Sequence, residues 1–79
     1  MSEVENTKTT VNGTVEEVLP DSLFRVRMAT GEEGVEGELV LAYLAGKMRL
    51  HRIRVLVGDD VEMVIDPYGG RARIVRRLS

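Results

Sequence analysis

The sequence has no cysteine, no tryptophan and only one histidine, His51, among its 79 residues. Without cysteine the chain forms neither a disulfide nor a thiolate metal site, and one histidine is too few for a histidine-rich metal cluster. Aromatic residues are also scarce, with one phenylalanine and two tyrosines. These shortages exclude a disulfide scaffold and argue against a protein that stacks many bases on exposed rings.

Long apolar runs are missing as well. No hydrophobic segment approaches the roughly 18 residues that a membrane-spanning helix needs. Residues 1–10 are polar and acidic, unlike the basic and then apolar start of a signal peptide. We therefore expect a cytoplasmic protein without membrane association, in which residues 1–9 form a flexible acidic tail and residues 10–79 form one domain.

The net charge of −2 hides a strong asymmetry along the chain. Residues 1–38 contain nine acidic and three basic side chains, whereas residues 39–79 contain four acidic and eight basic ones. The two parts therefore carry charges of −6 and +4. An asymmetry of this kind is typical of proteins that bind nucleic acid or another anionic surface.

The basic residues are densest between positions 47 and 54, where Lys47, Arg49, Arg52 and Arg54 occur within eight residues. Arginine forms paired, planar hydrogen bonds with phosphate and also stacks on bases. We interpret this run as a surface for an anionic partner, with phosphate as the commonest target. The alternative is that these arginines only keep a small barrel solvated.

Five short segments alternate apolar and polar side chains, as half-buried β-strands do. They are residues 11–16, 24–28, 35–41, 61–65 and 71–77. Good helix formers at 42–45, followed by Gly46, predict a short helix between the third and fourth strands. Together these elements predict an all-β fold, a five-stranded antiparallel Greek-key barrel of the OB-fold type with one short helix. An SH3-like barrel has similar strand content, but the helix after the third strand favours the OB-fold.

No arrangement of residues predicts catalysis. Asp59, Asp60 and Glu62 could suggest a metal or acid–base site, but Asp59 falls in a turn and the other two share a solvent-facing side of a strand. His51 lies in the basic run and fits a surface role in stacking or hydrogen bonding better than that of a general base. Because nothing combines a nucleophile, a base and an oxyanion hole, we expect a protein that is not an enzyme and needs no cofactor.

Short motifs follow one another in a characteristic order through most of the chain. They are Gly13-Thr14-Val15, Leu19-Pro20, Leu23-Phe24-Arg25-Val26, Thr30-Gly31, Gly46-Lys47-Met48-Arg49, Ile53-Arg54-Val55, Gly58-Asp59, Val61, Pro67-Tyr68 and Arg73-Ile74-Val75. In this order and spacing the chain resembles the bacterial translation initiation factor 1 family, whose members are single OB domains. The stretch from Gly31 to Gly46 is longer and more acidic than is usual in that family.

The resemblance implies a function in translation initiation. Members of the family bind the small (30S) ribosomal subunit at the aminoacyl-tRNA site and contact 16S rRNA and ribosomal protein S12. They cooperate with initiation factors 2 and 3 and keep elongator tRNA out of that site. By position, the resemblance assigns RNA contacts to Lys47, Met48, Arg49, Arg52, Arg54, Arg73 and Arg77. It also implies a monomer.

Two other functions stay open. A cold-shock-like protein would bind single-stranded RNA generally, but it would need an aromatic platform on the second and third strands. Phe24, Tyr43 and Tyr68 are spread apart, and Phe24 falls on the predicted core side of its strand. The second alternative is a protein-interaction module without affinity for RNA.

Overall fold

The computed structural model describes residues 9–66 and 69–78. This part contains the strands β1 (Thr9–Leu19), β2 (Leu23–Met28), β3 (Leu39–Leu44), β4 (Asp60–Ile65) and β5 (Ala72–Arg77), and the helix α1 (Gly46–Leu50). A 3₁₀ turn, Pro20–Ser22, joins β1 to β2. The predicted tail, apart from Thr9, and the Pro67-Tyr68 motif lie outside the described residues. Residues 9–66 and 69–78 contain no candidate for a membrane-spanning helix.

The strands close into a barrel in the order β1-β2-β3-β5-β4. The long strand β1 pairs with two neighbours, its first half with β4 and its second half with β2, both antiparallel. β3 and β5 form a parallel pair, so this contact departs from the antiparallel expectation. The closed five-stranded barrel, with a short helix between β3 and β4, confirms the predicted fold class.

β1 changes neighbours at Gly13, which pairs with Met28 of β2 and with Val61 of β4. A side chain has no room at this position. A Cβ atom there would lie 2.7 Å from Cγ1 of Val26 and 2.8 Å from the carbonyl oxygen of Arg27. Glycine therefore permits the close approach of the three strands at this point of the barrel.

The core contains side chains from all five strands and from the segment between β3 and β4. It consists of Val15, Phe24, Val26, Ala42, Met48, Val55, Val61, Met63, Ala72 and Ile74. Burial of these apolar side chains is the main force that stabilises the barrel. Because Met48 lies in the basic run and Val55 directly follows it, that run is anchored to the barrel by apolar contacts at both ends.

The prediction for the third strand and the helix was wrong in its positions. A strand was predicted at 35–41 and a helix at 42–45, but β3 is Leu39–Leu44 and α1 is Gly46–Leu50. Ala42 is fully buried and pairs with Phe24 of β2 and with Ala72 of β5. Strand pairing on both sides outweighs the modest helix propensity of this segment.

α1 ends in a Schellman motif, in which two backbone N–H groups close the last turn. The N–H of Ile53 donates to the carbonyl oxygen of Met48 at 3.0 Å, and that of Arg52 donates to the carbonyl oxygen of Arg49 at 3.1 Å. Arg52 has a φ of 55°, in the left-handed region where helices usually place glycine. The backbone that carries Arg49 and Arg52 is therefore held in place, although both side chains are exposed.

Candidate nucleic-acid interface

α1 and the end of β5 flank a shallow groove of about 300 Å³. Its lining consists of Lys47, Met48, His51, Ile53, Val75, Arg76 and Arg77. Three of these side chains are cations, and none of the described lining residues is acidic. The groove therefore offers positive charge and hydrogen-bond donors to an anionic ligand.

Met48 faces the core, which differs from its assignment as an RNA contact. Its side chain is only 2% exposed and belongs to the core cluster. Successive residues of a helix point in directions about 100° apart, so Lys47 and Arg49 remain exposed on either side of it. Met48 thus anchors α1 and positions the two neighbouring cations.

The end of β5 is tied to the segment that follows α1. Nη1 of Arg77 donates a hydrogen bond to the carbonyl oxygen of Arg54 at 2.8 Å. The next residue, Val55, is buried in the core. The exposed side chain of Arg54 therefore extends from a fixed backbone, and two cations that are far apart in the sequence become neighbours.

Arg73 lies on the outer side of β5, between the buried residues Ala72 and Ile74. Val75, which lines the groove, follows on the same side of the strand. Residues two apart on a strand are about 7 Å apart, so Arg73 continues the cationic surface beyond the groove. Its Nε atom is buried and has no hydrogen-bond partner among residues 9–66 and 69–78.

The salt bridges of the described residues do not involve the predicted binding cations. They join Arg25 to Glu17, Arg27 to Glu16 and Arg76 to Glu62. Within residues 9–66 and 69–78, none of them involves Lys47, Arg49, Arg52, Arg54, Arg73 or Arg77. The charge of these cations is therefore not neutralised by an ion pair in this part of the chain.

The arginines of β2, in contrast, form ion pairs with glutamates of β1. Nε and Nη2 of Arg27 donate to the two carboxylate oxygens of Glu16 at 3.0 and 3.1 Å. These hydrogen bonds lower the pKa of the Glu16 carboxyl below its ordinary value and raise the pKa of Arg27. Glu17 accepts a further hydrogen bond from Nη1 of Arg25 at 2.9 Å. Both arginines of β2 are thus paired within their own hairpin.

The acidic residues that the sequence placed near β4 have structural partners. Oδ2 of Asp59 accepts a hydrogen bond from the N–H of Leu56 at 2.9 Å, and Oδ1 of Asp60 accepts one from the hydroxyl of Thr14 at 2.9 Å. Asp59 therefore stabilises the turn before β4. Across the part of the chain that the structure describes, no three His, Asp or Glu side chains are grouped to hold a metal ion.

The predicted site residues fall into two groups. Lys47, Met48 and Arg77 line the groove, although Met48 is buried; Arg54 adjoins Arg77, and Arg73 lies near the start of β5. Arg49 and Arg52 lie on α1 and on the turn that closes it, outside the groove lining. His51 is exposed at the groove, as expected for a surface residue.

Sequence reasoning missed Arg76, which lines the groove. Strict alternation from Arg73 would place Arg77, and not Arg76, on the outer side of β5. The register between β4 and β5 shifts between Glu62 and Met63, so that Arg76 pairs with Glu62. Two consecutive arginines at the end of a strand are the one signal in the sequence that could have drawn attention to this position.

A family model described as translation initiation factor 1A / IF-1 matches residues 1–79. The chain belongs to this family. A curated relative, translation initiation factor IF-1 of Rhodospirillum rubrum, is 48% identical over 68 residues. The match covers 85% of this chain, and this chain spans 65% of the length of that relative.

Two solved structures have the same barrel. The solution structure of translation initiation factor 1 from the Wolbachia endosymbiont of Brugia malayi is 30% identical, with 98% of this chain and 85% of that chain covered and a TM-score of 0.73. The crystal structure of YjeQ from Thermotoga maritima is 27% identical, with 90% of this chain but only 23% of that chain covered and a TM-score of 0.70. The family resemblance that the motifs indicated is thus confirmed.

Proposed function

We propose that this protein is a translation initiation factor that binds the small (30S) ribosomal subunit at the aminoacyl-tRNA site. The observation that carries the proposal is the groove between α1 and β5, where Lys47, Arg76 and Arg77 line one surface. Membership of the translation initiation factor 1A / IF-1 family supports the same function. In this role the protein acts by binding, and no catalytic step is needed.

Ribosomal RNA phosphates are the groups that this surface suits. Proteins recognise RNA largely through its shape, its phosphates and its unstacked bases, and guanidinium groups serve both phosphate pairing and stacking. Because Met48 and Val55 are buried, the backbone that carries the neighbouring cations is already fixed before RNA binds. Such preorganisation lowers the entropy cost of binding.

The RNA contacts in this proposal come from exposed or half-buried cations. They are Lys47, Arg49, Arg52, Arg54, Arg73 and Arg77. Met48 supports this surface from the core.

The proposal extends to the partners implied by the family resemblance. At the aminoacyl-tRNA site the protein contacts 16S rRNA and ribosomal protein S12, supports initiation factors 2 and 3 and blocks elongator tRNA. The net charge of −2 does not oppose RNA binding, because the acidic side chains are concentrated in the first half of the chain. Local charge, rather than the total, decides how an anion approaches a surface.

The alternative of a general single-strand binder has weaker support. Such proteins gain much of their affinity by stacking bases on aromatic rings. Phe24 is buried, and of the phenylalanine and tyrosine side chains that the structure describes, Tyr43 alone is exposed. A single exposed ring does not form a stacking platform.

Filter binding to 30S subunits and to free single-stranded RNA separates the candidate functions. We expect binding to the subunits and little binding to free RNA. If Lys47, Arg49, Arg54 and Arg73 each meet one phosphate, the logarithm of the association constant should fall with that of the salt concentration at a slope of roughly −3 to −4. Equal binding to free RNA would instead support the cold-shock-like function, and binding to neither would support a protein-interaction module.

A further inference from the structure

Arg76 differs from the other cations of the groove because a carboxylate of its own chain pairs with it. Its Nη2 atom lies 3.0 Å from Oε1 of Glu62. The two residues face each other across β5 and β4, where the register of the strands shifts. Lys47 and Arg77 line the same groove and form no salt bridge within the described residues.

The two partners differ in their contact with solvent. The side chain of Arg76 is 65% exposed, whereas that of Glu62 is 24% exposed. An ion pair with one well-exposed partner contributes little to stability. Arg76 can therefore exchange its carboxylate partner for an incoming phosphate, but the less exposed Glu62 carboxylate remains beside Arg76.

We propose that Glu62 is an internal counter-ion that weakens the binding of anions in this groove. A phosphate that enters the groove has to compete with the Glu62 carboxylate for Arg76, and the remaining negative charge repels it. The inference rests on the proposed function, in which the anion is a phosphate of ribosomal RNA. It adds Arg76 to the binding residues and gives Glu62 a role in setting the affinity.

Removal of the Glu62 charge tests this inference. Glutamine keeps the shape of the side chain and an oxygen that accepts a hydrogen bond from Arg76. We expect Glu62→Gln to bind 30S subunits about 3- to 10-fold more tightly at low salt, with a salt slope steeper by about 0.7–0.9 if one more phosphate is engaged. Glu62→Thr removes the same charge with a residue that suits a strand. If the glutamine variant folds poorly, Glu62→Thr should show the same increase in affinity for 30S subunits.

Glu17→Gln is the matched control. It changes the net charge by the same amount and releases Arg25, which lies on β2 and outside the groove lining. We expect its affinity for 30S subunits to stay within about twofold of the wild type. The double variant Glu62→Gln/Arg76→Gln should lose most of the gain, because the released cation is no longer present and only the repulsion by Glu62 has been removed.

The outcomes distinguish this inference from the function on which it rests. If Glu62→Gln and Glu17→Gln raised the affinity for 30S subunits equally, the effect would be one of net charge. That result would overturn the role of Glu62. Unchanged affinity of Glu62→Gln, with the wild type binding normally, would overturn that role and leave the proposed function standing. If the wild type did not bind 30S subunits at all, the proposed function would fail, and the inference with it.

Discussion

The arginines of β2 and the cations around α1 lie on one small barrel but differ in their partners. Arg25 and Arg27 are each hydrogen-bonded to a glutamate of β1. Lys47 and Arg49 have no salt-bridge partner among residues 9–66 and 69–78. The number of arginines on a surface therefore does not measure its attraction for anions, since a neighbouring carboxylate can neutralise each of them.

The difference arises from strand register and from local composition. β1 and β2 are adjacent, and their pairing places Glu17 opposite Arg25. The register shifts between Val15 and Glu17, so Glu16 lies between two paired residues of β1. From this position its carboxylate contacts the guanidinium group of Arg27. By contrast, residues 46–58, which include α1, contain no acidic residue. A cation on α1 thus lacks a partner close to it in the chain.

Unfolding of the barrel should abolish the difference between the paired arginines of β2 and the cations around α1. This is the largest effect that we expect. Phe24 is 4% exposed, and truncation of a buried phenylalanine costs about 3–5 kcal/mol. That cost approaches the total stability of many small domains. In urea denaturation followed by circular dichroism, Phe24→Ala should therefore be largely unfolded, or unfold at much lower urea. Tyr43→Ala, which removes an exposed ring, should cost less than about 1 kcal/mol; equal losses would contradict the core position of Phe24.

The two groups of cations can be compared directly by removing one charge from each. Arg49→Ala should weaken binding to 30S subunits about tenfold, or about 1.4 kcal/mol, because the lost cation has no salt-bridge partner in the part of the chain that the structure describes. Arg25→Ala removes the same charge from an arginine that is already paired and should change the affinity by less than about twofold. Filter binding measures the affinities of both variants for 30S subunits.

Thermal unfolding of the same two variants provides the control. Arg49 is exposed, so the melting temperature of Arg49→Ala should stay close to that of the wild type. A large fall would show that Arg49 supports the fold. Equal losses of affinity in the two variants would show that only the net charge matters.

The smallest effect concerns the turn that closes α1. Arg52 has a left-handed φ of 55°, which glycine adopts at lower cost. Arg52→Gly should therefore raise the free energy of unfolding by about 1 kcal/mol relative to Arg52→Ala, while both variants lose the same positive charge. Thermal or urea unfolding measures the stability difference, and 30S binding measures the contribution of the charge. Equal stabilities would contradict the left-handed conformation of Arg52.

Most of the barrel could be predicted because alternation reports directly which side of a strand is buried. Val15, Val26, Met63 and Ile74 all face the core, as the pattern indicated. The error at β3 has a clear cause. Residues 42–45 are compatible with a helix, and only the pairing of Ala42 with β2 and β5 decides that Ala42 to Leu44 lie in a strand.

The candidate site was less accessible to sequence reasoning. The basic run was evident, but the motif did not indicate that Met48 would be buried. Arg76 was missed because a register shift opposite Glu62 interrupts the alternation of β5. Such a shift depends on how two strands pair, and neither strand reveals it alone.

The sequence by itself determined the barrel, the family and the basic character of residues 47–54, because burial patterns, turn residues and charge are local properties of the chain. Only the tertiary structure decided which cations are neutralised and which share a surface. Arg54 adjoins Arg77, and Glu62 pairs with Arg76, through contacts between segments that are distant in the chain. Coulomb interactions and hydrogen bonds depend on distance in space, which strand register and barrel closure set.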